Sequence, residues 1–258
     1  AVSFVAAGVV WRTSRLRAET AGRAIPAGLQ TLADDTVTRW GLRVLGLAVA
    51  GFVVVAALFG PNDASNPTAG FVYVVFWVGL VPASLLFGPV WRLLNPLRTI
   101  HRGISALAGI RPEEGMWVYP RRLGYWPAAA GLFAFTWLEL VAPERTSTVT
   151  LLMWLVAYAV VQLFGAVLFG SAWFDRADAF EVYSSLIGRL APLGRRADGR
   201  LVVRNPLHGL DGLRPAPGLA AAVCVLLGST AYDGFSNAPI WIRPPSRRQH
   251  RPSWARSG

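Results

Sequence analysis

The chain has 258 residues, of which 53% are hydrophobic and only 15% charged, and its net charge of +11 is carried on the basic side by arginine alone. A soluble domain averages about 25% charged residues, and one of this length could hide a single run of roughly 20 apolar residues as a core helix, but not five. The absence of lysine excludes a Schiff base, a carbamylated metal-bridging lysine and a P-loop, and the single cysteine, Cys224, excludes a disulfide framework and reads as a small buried hydrophobe.

These properties predict an all-α, polytopic helical membrane protein. Residues 1–11 (AVSFVAAGVVW) are apolar but about half the length of a span, so they read as the remainder of a truncated first helix. Five full spans are expected at Val44–Gly60, Phe71–Trp91, Pro127–Val141, Val149–Phe174 and Gly218–Tyr232. The third and fifth are short.

Arginine alternates between the connections. Residues 12–43, 92–126 and 175–217 hold six, six and seven, whereas residues 61–70 hold none and 142–148 hold one. Arginine-rich loops stay cytoplasmic. The long loops are therefore expected inside an inner (cytoplasmic) membrane, with the turns PNDASNPTAG and APERTST outside. Anionic lipid headgroups explain these arginines better than nucleic acid does.

Residues 1–242 form the expected helical membrane domain. The tail at 243–258 (RPPSRRQHRPSWARSG) has a disordered composition. Its five arginines follow a span that should exit outward, so it reads as a non-native continuation.

LLFGPVW at 85–91 and VLFGSAW at 167–173 share Leu, Phe, Gly and Trp at an offset of 82. Because that interval holds two crossings, residues 44–108 and 127–191 read as a parallel repeat. Trp91 and Trp173 are expected at the headgroups, with Gly88 and Gly170 one turn earlier allowing close approach or a bend.

An interfacial amphipathic helix should follow each copy. In the first, Asn95 caps, Pro96 starts the helix, and Leu97, Ile100, Ile104 and Leu107 oppose Arg98, Arg102 and Ser105. In the second, Ala177, Phe180, Tyr183, Ile187 and Leu190 make the stripe. Asp175, Asp178 and Glu181 stand near its start, where acidic groups suit the helix dipole.

Two carboxylates are candidates for chemistry. Glu139 lies in the third span, where an ionisable group is by default functional. Asp233 follows the fifth span beside Tyr232, Gly234 and Asn237. Glu139 and Asp233 could meet at the outer boundary as an acid/base or proton-accepting pair, with Tyr232 and Asn237 binding substrate. The structural alternative is a turn capped by Asp233, with Gly234 at positive φ. No His-x-His, His-Glu-x-x-His or Cys-pair spacing marks a metal site. A site assembled from His101, His208 and the Asp175–Asp178–Glu181 group is the remaining metal candidate. No Gly-x-Ser-x-Gly elbow or phosphate-binding glycine loop occurs.

The strings FVYVVFWVGLVP, LFGPVWRLLNP, WLELVAPER, DAFEVYSSLIGRLAPLGRR, GRLVVRNPL and LLGSTAYDGFSN together resemble a family of actinobacterial polytopic membrane proteins known as fenitrothion hydrolase. The likeness covers roughly residues 1–242. It departs after Arg243, where the family continues into further helices, and the N-terminus is shorter. The resemblance implies hydrolysis of an aryl ester of an organophosphorothioate, and it carries no catalytic residue or cofactor over to this chain. The histidine pairs and bridging lysine of metal-dependent organophosphate hydrolases are missing. From the residues alone, a permease or membrane subunit of a transport assembly fits the hairpins and the membrane carboxylate equally well, and a scaffold without turnover is the third expectation.

Overall fold

A computed structural model of the chain describes residues 20–63, 65–236 and 238. The expectations for residues 1–11, Asn237 and the tail 243–258 lie outside the described residues.

The described chain is mostly helical. Strand β1 (Arg23–Ala24) leads to α1 (Ala27–Asp34) and then to α2 (Thr36–Phe59), whose first turn is capped by the Asp35 carboxylate accepting from Thr38 N at 3.1 Å. A short turn brings the chain to α3 (Pro67–Phe87). Asn66 caps α3 by accepting from Thr68 N at 2.9 Å, and Pro67 supplies a preset first φ.

Then come α4 (Trp91–Leu94), α5 (Pro96–Leu107), α6 (Trp126–Leu140), α7 (Thr148–Phe169), α8 (Ser171–Ala177) and α9 (Ala179–Gly188). Strands β2 (Leu193–Arg195) and β3 (Leu201–Val203), a 3₁₀ turn over Pro206–Gly212, and α10 (Leu219–Ser236) complete the chain. The strands form a small antiparallel sheet of order β1-β3-β2.

Four helices, α2, α3, α7 and α10, are long and apolar enough to cross a membrane. They match four of the five expected spans. The third, α6, has 15 residues and is shorter than these. At one end of the bundle the two short turns touch: Asn62 Oδ1 accepts from Thr148 N and from Thr148 Oγ1, both at 2.9 Å. The long connections and the sheet occupy the opposite end.

Within α3, residues Phe71–Val78 wind as a π-helix, and the wide turn closes where Gly79 N donates to Val74 O at 3.1 Å. The wider turn lets two successive rings, Phe76 and Trp77, both reach the core. At its centre Phe180 is 1% exposed and meets Phe76 at 4.7 Å, Phe135 at 5.1 Å and Tyr158 at 5.4 Å between ring centroids. Full burial of such a ring contributes about 1.5–3 kcal/mol, and favourable ring pairs add about 0.5–1.5 kcal/mol each.

Gly88 and Gly170 do more than the sequence suggests. Both end a long helix at positive φ, +85° and +62°, and the chain folds straight back into the bundle. The expected continuous spans to Trp91 and Phe174 therefore stop at Phe87 and Phe169. After this reversal the two tryptophans lie on the folded-back segments rather than in the long helices. Trp91 packs in the aromatic core, 4.7 Å from Phe76, while Trp173 donates to Gln162 Oε1 at 2.8 Å and stacks on Phe169.

Candidate functional site

The two folded-back segments reach half the height of the long helices. Tyr158 is the eleventh of 22 residues in α7, about 15 Å from its start, and its hydroxyl donates to Asp178 Oδ1 at 2.8 Å. Gly46, the eleventh of 24 residues in α2, lies directly against the carbonyl of Leu94 at the end of α4. From these depths the chain turns outward again. The end of α9 at Gly188 comes back beside Gly88 and Pro89.

Each turning point is a helix cap. Asn95 Oδ1 accepts from Leu97 N at 3.0 Å and Arg98 N at 3.2 Å, capping α5. Asp178 Oδ1 accepts from Phe180 N at 2.9 Å and Glu181 N at 3.2 Å, capping α9. The caps are joined to each other, because Asn95 Nδ2 donates to Asp178 Oδ2 at 2.8 Å. Both residues are fully buried. Two helix N-termini thus meet at the Asn95–Asp178 hydrogen bond.

One turn further along, the two helices join again. Arg98 grips Glu181 bidentately, with Nε to Oε2 at 3.1 Å and Nη2 to Oε1 at 2.8 Å, and the side chains are 3% and 2% exposed. Arg98 Nη2 also reaches Asp175 at 2.6 Å, and Arg92 meets the same Asp175 oxygen at 3.1 Å from the more exposed side. The Arg98 guanidinium lies 5.2 Å from the Phe174 ring centre. Two carboxylates, Asp175 and Glu181, here share two guanidiniums.

This network encloses the arginine face of α5. Leu97, Arg98, Thr99, His101 and Ser105 are buried, while Ile100, Ile104 and Leu107 are exposed. The charged face needs partners more than the apolar face needs cover, and those partners are on α8 and α9. Asp178 does cap α9 and Glu181 does sit in its first turn, as their spacing suggests. Their role as an inter-helix junction was not visible from one helix alone. A signal exists: Asn95 and Asp178 are 83 positions apart, as are Arg98 and Glu181, one more than the tryptophan offset.

The sequence-derived candidates lie elsewhere. Glu139, near the end of α6, is half-buried, and its carbonyl accepts from Arg145 Nη1 at 3.1 Å. Asp233 is on α10, which packs against α6, and the two carboxylates are within electrostatic range of one another. Asp233 and Gly234 belong to a helix that continues to Ser236, so the expected capped turn with a positive-φ glycine does not occur there. Tyr232 is exposed on the same helix, as is Cys224, which is not the buried hydrophobe expected.

His101 is buried, its Nε2 within 3.1 Å of Pro112 O, and it packs on Phe174. Among the described residues, no group of three or more His, Cys, Asp or Glu side chains is arranged to hold a metal ion.

Beside the junction is an apolar cavity of about 390 Å³ between α2, α3, α4 and α7. Tyr158 and Trp91 stand in its wall. Comparison with protein-family models, with curated proteins and with solved structures gave no match.

Proposed function

We propose that the chain is a membrane permease, or the membrane subunit of a transport assembly, and that the junction of α5 and α9 is its coupling site. One observation carries this reading: two helix N-termini face each other around Asp178, halfway along α7. Broken helices that present their positive ends near the middle of a bilayer are a transporter device. Ionisable groups at that depth mark ion pathways or proton relays. Among the described residues Asp178 is held by Asn95 and Tyr158 rather than by an arginine, which makes a proton its natural compensating ion.

In this reading the chain lies in the cytoplasmic membrane with its arginine-rich loops inside, against anionic lipid headgroups. Residues 44–108 and 127–191 are parallel repeats, each contributing one re-entrant hairpin. The test is proton entry into liposomes holding the purified full chain and a pH dye, driven by an imposed potassium diffusion potential. Flux above that of empty liposomes, lost in Asp178→Asn, is the expected result. Flux equal to empty liposomes refutes the reading.

Hydrolysis is the second reading. The resemblance to fenitrothion hydrolase suggests it, and the proximity of Glu139 to Asp233 supports it as a site for general-base chemistry. Purified protein that releases the aryl alcohol from fenitrothion, and loses this activity in Glu139→Gln, would favour it. Release no faster than from protein-free membranes would eliminate it.

A further inference from the structure

We infer that Arg43 of α2 and Arg102 of α5 form a binding site for a phosphate group at the sheet end of the bundle. The site follows from how the two helices meet. Gly46 of α2 rests on the carbonyl of Leu94, where α4 ends and α5 is about to begin. Arg43 is three residues earlier, so it is on the same face of α2, one turn nearer the sheet. On α5, Arg102 stands one turn beyond the buried Arg98 and shares its face. The two side chains are thus brought toward each other beside the α2–α5 contact, and both are half-buried. They are within electrostatic range of one another and of Arg98.

The neighbouring arginines each have a carboxylate. Arg98 holds Glu181, Arg92 holds Asp175, and Arg39 holds Asp34. Among the described residues, Arg43 and Arg102 make no such ion pair. The Arg43 guanidinium lies 5.0 Å from the Trp40 ring centre, and Glu113 is in electrostatic range of Arg102 without pairing with it. Two half-buried cations side by side repel, and an anion shared between them offsets that repulsion.

The choice of anion follows from the number of acceptors. A carboxylate is satisfied by one guanidinium, as Glu181 is by Arg98. A phosphate group has further oxygens and is gripped bidentately by arginine from more than one side. The apolar run of α2 begins at Val44, directly after Arg43, so the site is level with the end of the hydrocarbon. Basic pockets between helices at that level bind anionic headgroups. A lipid headgroup and a free phosphate ion both supply the group. The lipid source rests on the membrane placement proposed above, whereas the site itself depends on neither transport nor hydrolysis.

The test uses the purified full chain in a neutral detergent. Native mass spectrometry measures retention of phosphatidylglycerol against phosphatidylcholine, and thermal unfolding compares inorganic phosphate with chloride at equal ionic strength. Wild type should prefer phosphatidylglycerol, or unfold at a higher temperature in phosphate. Arg43→Gln and Arg102→Gln should each weaken that binding about tenfold or more, the worth of a charge-assisted hydrogen bond. Arg122→Gln, which changes an exposed arginine before α6, should leave it unchanged. If either glutamine variant does not elute as a folded species, Arg43→Lys and Arg102→Lys keep the charge, lose the forked donors and make the same comparison.

A lipid preference that responds to the two substitutions, with no effect of free phosphate, identifies a headgroup as the source. The reverse pattern identifies a soluble phosphate. No lipid preference together with no effect of phosphate would overturn the inference. So would binding unchanged in both variants, or weakened equally by Arg122→Gln.

Discussion

The side-chain amide of Asn95 donates to the carboxylate of Asp178 over 2.8 Å, and so ties together the caps of two helices 83 positions apart in the chain. A cap normally serves one helix. Here each cap completes its own first turn and is also half of the contact that holds the other in place.

Removing that contact should be expensive. Asp178→Ala deletes a cap and leaves the buried donors of Asn95 and Tyr158 unpaired, a loss of about 2–4 kcal/mol. Asp178→Asn keeps an acceptor for the helix N–H groups and should cost less. Thermal unfolding in detergent, followed by the helical circular-dichroism signal, orders the three proteins.

The Arg98–Glu181 pair predicts a non-additive result. Arg98→Met alone strands a buried carboxylate and should destabilise by about 3–5 kcal/mol. Adding Glu181→Leu removes the stranded charge, and the double variant should recover most of the loss. Asp175 does not block this recovery, because it is partly exposed and retains Arg92. The same unfolding experiment on all four members of the cycle gives the coupling.

Two glycines of α2 should respond in opposite ways. A Cβ at Gly46 would press into the carbonyl of Leu94, whereas one at Gly51 meets nothing within 4 Å. Gly46→Ala should therefore lose about 1–3 kcal/mol by overpacking. Gly51→Ala should be neutral or gain up to about 1 kcal/mol from helix propensity.

The sheet end should loosen in acid. A hydrogen bond from Arg195 holds the Asp34 carboxyl below the usual carboxylate range, with a second from Gln30 helping. A depressed folded value means that the contribution is fully present above the unfolded value of about 3.9 and is lost as pH falls through the folded one. The amide of Leu201, which donates to Gln30 Oε1 at 2.9 Å, reports on this contact. Its hydrogen-exchange protection, corrected for the intrinsic rate, should drop below about pH 4. In Asp34→Asn that pH-dependent component should disappear.

The apolar runs were enough to locate the long helices, since burial in lipid and burial in protein both demand the same unbroken hydrophobicity. Asn95-Pro96 and Asp178 announced helix starts for the local reason that a short polar side chain satisfies free N–H groups. The direction of the chain after Gly88 and Gly170 was not legible. A glycine after an apolar run reads equally as a helix end at the surface or as a reversal into the bundle, and only tertiary partners decide. For the same reason the stripe Leu97–Ile100–Ile104–Leu107 did not show that the opposite face would be enclosed by protein. In a bundle whose outside is apolar, the face that must be enclosed is the one carrying Arg98. Glu139 stood out because it interrupts an apolar run. Asp178 and Glu181 did not, because acidic residues at the start of an amphipathic helix are already accounted for by the helix dipole.

The pairing of Arg23 with Val203 has a consequence for synthesis. The edge strand β1 is made early, yet its partner emerges 180 residues later. At roughly 5–20 residues per second, that is an interval on the order of 10–40 s. Throughout it, the strand's hydrogen-bonding groups and the Arg196 site at the Gly22 carbonyl stay unmatched. Closure of the sheet must come after most of the helices have been synthesised. At that end of the bundle β1 is then made before the helices that follow it, yet locked only after them.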